Sequence, residues 1–130
     1  SSVNIWPKDL GIVLDIAGAS GFPAPLTEAA LGQFRRAAEM APGNPRYRNN
    51  LALIRAERGD TAAAERELLD LVDDFPGYGR GWINLGLVRM NAGDRRGVSE
   101  VVSRLAGFDD LTSGERGNLD RLRRFAEGGG

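Results

Sequence analysis

The 130-residue chain carries a formal net charge of -1, is 42% hydrophobic, and contains neither cysteine nor histidine. Disulfides, thiolate or imidazole metal sites, and Ser-His or Cys-His catalysis are therefore excluded. Sixteen arginines and one lysine, Lys8, stand against 18 acids, so no global field favours nucleic acid or an anionic membrane.

The length predicts a single domain over 1–130. No apolar run approaches the ~20 residues of a membrane span. The opening Ser1-Ser2-Val3-Asn4-Ile5-Trp6-Pro7 has no basic region followed by an apolar one. Neither a signal peptide nor membrane insertion is expected, and a cytoplasmic location is the default.

In chain order, Pro7 opens a candidate helix over about 7–19. The Pro- and Gly-rich stretch from Ser20 to Leu26 predicts an irregular loop. Residues 26–41 carry the apolar stripe Ala30, Phe34, Ala37 and Ala41, closed by Pro42. Residues 45–58 begin with proline and place Tyr47, Leu51 and Ile54 at helical spacing, and Gly59-Asp60 then makes a turn. Over 61–74, Ala64, Leu68, Leu71, Val72 and the adjoining Phe75 form one stripe, ended by Pro76-Gly77. Residues 79–92 and 95–106 repeat the design, with Val98, Val101, Val102 and Leu105 as the second stripe. Beyond Asp109-Asp110, Thr112 or Ser113 can cap a last helix over 113–127, with Glu115 favourable near its start. Its apolar stripe is Leu119, Leu122, Phe125 and Ala126, with Arg116, Arg121, Arg123 and Arg124 distributed around it. No stretch alternates with period two long enough to make a convincing strand, so the expected class is all-α.

The segments recur at a fixed offset of 34 residues. Gly59-Asp60 returns as Gly93-Asp94, and Asn50-Leu51-Ala52 as Asn84-Leu85-Gly86. Ala30, Phe34, Ala37 and Pro42 return as Ala64, Leu68, Leu71 and Pro76. Trp82-x-x-Leu85-Gly86 with Gly93-Asp94 resembles the first helix of a tetratricopeptide repeat. Ala64-x-x-x-Leu68 followed by Pro76 resembles its second helix, and 34 is that family's period. Arg55 and Arg89 stand where the family usually has tyrosine, which should weaken individual packing contacts; Val98 stands where alanine is usual. Gly86, Ala52, Ala30 and Ala64 are read as small because another backbone approaches, with Trp82 filling the space beside Gly86. The resemblance implies a right-handed superhelix of about three helix-turn-helix repeats (about 4–44, 45–78 and 79–110) with the last helix as a cap.

Neither Gly77-Tyr78-Gly79-Arg80-Gly81 nor the acidic residues Asp70, Asp73, Asp74, Asp109 and Asp110 assembles a nucleophile with a base. The first is read as an inter-repeat turn and the second as solvated surface. No catalytic residue, metal or cofactor is expected, and the chain is read as a non-enzyme.

The resemblance implies a concave peptide-binding groove lined by first helices: Lys8, then Arg46, Asn49, Asn50, Leu53, Ala56 and Glu57, then Arg80, Ile83, Asn84, Leu87, Met90 and Asn91. Asn50 and Asn84 would stack and hold a peptide backbone, because an amide both donates and accepts. Lys8, Asn50 and Arg80 partly match a carboxylate clamp, from which Ile12 and Asn84 depart. The expected function is a protein-protein interaction module for an acidic, extended peptide or protein segment, with homo-oligomerisation left open. The alternative is a structural or regulatory segment of a larger enzyme or self-assembling scaffold.

Overall fold

The computed structural model describes residues 2–3, 14–15, 32, 35–36, 39–41 and 43–128. Five full helices are described: α1 (Pro45–Glu57), α2 (Thr61–Asp74), α3 (Gly79–Asn91), α4 (Arg95–Leu105) and α5 (Ser113–Ala126). Residues 32, 35–36 and 39–40 are also helical, within the stretch 26–41. The all-α repeat architecture read from the sequence is the one observed.

The Gly-Asp pair explains itself once its hydrogen bonds are traced. At the end of α1 the Gly59 N–H donates to the Ala56 carbonyl and the Asp60 N–H to the Arg55 carbonyl, closing the helix. This closure needs a left-handed residue, and Gly59 has φ of 95°. The Asp60 carboxylate then accepts from the Ala63 N–H at 3.2 Å and opens α2. One repeat later Gly93, at φ 75°, closes α3, and Asp94 opens α4 by accepting from the Gly97 N–H at 3.0 Å. Two residues thus finish one helix and start the next, which forces an antiparallel pair.

α1 packs on α2, α3 on α4, α2 on α3, and α5 covers α3 and α4. Leu53, Leu68, Leu71, Leu85, Leu105 and Leu122 are fully buried in one continuous core. Each such side chain contributes about 1.5–3 kcal/mol by burial. α5 opens with a reciprocal capping box between Thr112 and Glu115.

The structure amends three packing expectations. A side chain at Gly86 would meet Leu122 of α5 at 2.7 Å and Val101 of α4 at 3.1 Å. Those residues, rather than Trp82, occupy the space beside it. Trp82 is partly buried against the core; its indole N–H donates to the Pro76 carbonyl at 2.9 Å and its ring carries the Arg104 guanidinium at 4.9 Å. Arg89 makes polar contacts where ring packing was expected. It bonds Glu65 at 3.0 Å, approaches Glu100 at 3.6 Å and donates to the Gly97 carbonyl at 3.1 Å, joining three helices. Arg55 forms an ion pair with Glu67 at 2.8 Å, while its buried Nε makes no hydrogen bond.

At the N-terminus, Ser2–Val3 (β1) pairs antiparallel with Leu14–Asp15 (β2), and β2 lies against α1. Residues 14–15 were expected within a helix over 7–19. The β-branched Ile12 and Val13 that precede them favour extended backbone, which supplies a reason for the difference. The rest of that segment and the 20–26 loop lie outside the described residues.

Candidate functional site

The first helices α1 and α3 carry the expected groove positions, and the structure divides them into two groups. Leu53, Ala56, Ile83 and Leu87 are buried in the hydrophobic core, and Met90 packs against it. Arg46 and Asn91 are exposed. Lys8 and Ile12 lie outside the described residues.

Asn49, Asn50 and Asn84 are the only buried polar or charged residues among those described. The Asn84 amide donates to the Asn49 side-chain oxygen at 2.9 Å. The bond therefore runs from Asn84 to the neighbour of its repeat equivalent, Asn50. Asn49 Nδ2 is buried without a hydrogen-bond partner. An unmet buried donor costs about 1–3 kcal/mol.

Arg80 stands one turn before Asn84, and its Nε donates to Glu115 Oε2 at 3.2 Å. The other oxygen of Glu115 accepts from the Thr112 N–H at 3.0 Å. One carboxylate thus caps α5 and ties α5 to the basic residue of α3. That link joins the Arg80 position to the C-terminal helix, which reading the groove alone overlooks. Its signal in the sequence is only the capping pattern at Thr112 and Glu115.

Farther out, burial raises the Glu67 carboxyl above its ordinary value, against the opposing pull of Arg55. Among the described residues no group of three or more acidic side chains is placed to hold a metal ion, and no helix is long and apolar enough to cross a membrane.

No protein-family model matches the chain. A protein of Aspergillus fumigatus described as a heat-shock protein cognate (HSC) co-chaperone, sgt12, is 34% identical over 100 residues, 75% of this chain and 27% of that protein. The chain thus spans about a quarter of the length of this relative. In fold, the chain is similar to the crystal structure of the Sgt2 TPR domain from Aspergillus fumigatus. The TM-score is 0.57 at 22% identity, over 75% of this chain and 66% of that one. With its 34-residue period, its Gly-Asp turns and its stacked helix pairs, the chain has the repeat pattern and fold of the tetratricopeptide-repeat family.

Proposed function

We propose that the chain is a non-catalytic protein-interaction module that holds an extended, acidic peptide segment along the face formed by α1 and α3. The basic row on α1 and α3 carries this reading, and the buried Asn84–Asn49 bond braces the two helices beneath it. Arg46 and Arg80 occupy equivalent positions on α1 and α3 and supply charge for acidic side chains or a terminal carboxylate. The co-chaperone description of the 34%-identical relative favours a chaperone as the partner class.

Titration of the chain with an acidic peptide bearing a free C-terminal carboxylate tests the reading. Arg46→Ala and Arg80→Ala should weaken binding and flatten its salt dependence. Asn49→Ala and Asn84→Ala should weaken it with little change in that dependence. Binding that survives all four changes would place recognition elsewhere. The short span relative to sgt12 favours a second reading, in which this chain is the repeat segment of a longer scaffold. Under that reading the same face docks another part of the assembly.

A further inference from the structure

The helix surfaces turned away from the asparagine pair carry two clefts. Trp82 and Asn84 are two residues apart, about 200° around α3, so they face opposite sides. One cleft, about 340 Å³, lies between α2, α3 and α4 and is lined by Leu69, Val72, Asp73, Pro76, Trp82 and Arg104. The other, about 190 Å³, lies between α1 and α2 and is lined by Arg48, Leu51, Glu67 and Asp70.

The clefts are related by the repeat. Arg48 and Asp70 stand 34 residues before Trp82 and Arg104. The same place in the fold therefore has two chemistries. The later cleft is lined mainly by apolar residue types, with Leu69 at its rim 41% exposed, one of two exposed large hydrophobic residues described. The earlier cleft is lined by Leu51 and three charged residues.

The charges around them are incompletely matched. Arg48 is held by Asp74 at 2.8 Å. Asp70 and Asp73 make no ion pair among the described residues. Glu67 Oε2 lies 2.8 Å from Arg55 Nε as an ion pair, and both that Nε and Glu67 Oε1 are buried without a hydrogen-bond partner. A cation entering this cleft would meet two carboxylates, one already short of a donor. In the later cleft Arg104 lies on the Trp82 ring and has no carboxylate partner among the described residues, so its N–H groups remain available for one.

We propose that the two clefts form one docking track, distinct from the asparagine face, for an extended partner segment bearing a basic, then an apolar, then an acidic residue. The basic side chain enters between Glu67 and Asp70. The apolar one covers Leu69 and Trp82, and the acidic one meets Arg104. Packed helices lie about 8–10 Å apart and an extended chain advances about 3.3 Å per residue, so the basic and apolar residues are about three apart. A chain with both faces in use joins two partners.

The probe is a blocked peptide, Gly-Lys-Ser-Ser-Leu-Ser-Ser-Glu-Gly, with its reversed sequence and a form in which Ser replaces Leu. Each is titrated into the ¹⁵N-labelled full chain and followed at the Trp82 indole N–H and the α2 amides. One chain direction should give saturable shifts at Trp82, Leu69 and Asp70, and the Ser form should not. Leu69→Ser and Asp70→Arg, both at exposed positions, should each weaken binding at least about tenfold. A peptide with Glu in place of Lys should recover affinity for Asp70→Arg. The track is overturned if neither direction gives saturable shifts or if the shifts centre on Asn49 and Asn84. It is also overturned if the charge swap recovers nothing, or if sedimentation shows the clefts filled by a second copy of the chain.

Discussion

A single arginine shows how much one side chain decides here. Arg89 is 11% exposed and holds Glu65, Glu100 and the Gly97 carbonyl together. Its stem passes so close to Gly97 that an added Cβ would lie 2.7 Å from Arg89 Cδ and press on the Asp94 carboxylate that caps α4. Gly97→Ala should therefore cost about 1–3 kcal/mol in urea unfolding, through overpacking and a disturbed cap. Gly86→Ala is the contrast. Its new Cβ meets the movable tip of Leu122, and helix propensity returns about 1 kcal/mol, so the change should be nearly neutral. Glu67 gives a pH test. Its carboxyl is raised in the folded chain, so the fold binds this proton more tightly than the unfolded chain does. Its contribution favours folding at low pH and is lost as pH rises through the folded value. Glu67→Gln should raise Tm at pH 7, with the gain shrinking as pH falls through the carboxylate range.

Among the elements, turns and caps are where sequence and structure agree most closely, because the determinants are local. A glycine at φ 95° or 75° followed by a capping aspartate is written in two adjacent letters. The Thr112–Glu115 box is likewise visible as a short pattern. Gly93→Ala should cost about 1–2 kcal/mol, since a Cβ is strained in left-handed backbone. Thr112→Ala should cost about 0.5–2 kcal/mol by loss of the cap. Thermal melts of both variants check these values. The sites were less legible because their partners come from other repeats. Nothing near Arg89 in the sequence announces Glu65, 24 residues earlier, and nothing near Asn84 announces its bond to Asn49, 35 residues earlier. The outer clefts are less legible still. Leu69 looks like one more apolar residue of α2 until the placement of Trp82 and Arg104 makes it a rim. At Leu14–Asp15 repeat matching imposed a helix on residues that pair as a strand.

At the scale of the whole molecule, α5 both closes the core and reaches the asparagine face. Leu122 packs over Gly86 and near Val101, so α5 shields apolar surface that α3 and α4 would otherwise expose. The same helix sends Glu115 to Arg80. The cap of α5 and the Arg80 pair thus share one carboxylate, and they can be separated by a conservative change. Glutamine still accepts the Thr112 N–H bond that completes the box, so Glu115→Gln should keep α5 in place and leave Tm within a few degrees of wild type. It also removes the negative charge beside Arg80. If an acidic segment binds between Arg46 and Arg80, that charge competes with the ligand. Glu115→Gln should then tighten binding of an acidic peptide and steepen its salt dependence, because more of the Arg80 charge is compensated by the peptide. Arg80→Ala in the same background should abolish the gain. Isothermal titration at two ionic strengths measures both effects. A Glu115→Gln chain that melts normally and binds the peptide no more tightly than wild type would show that Arg80 serves only to anchor α5.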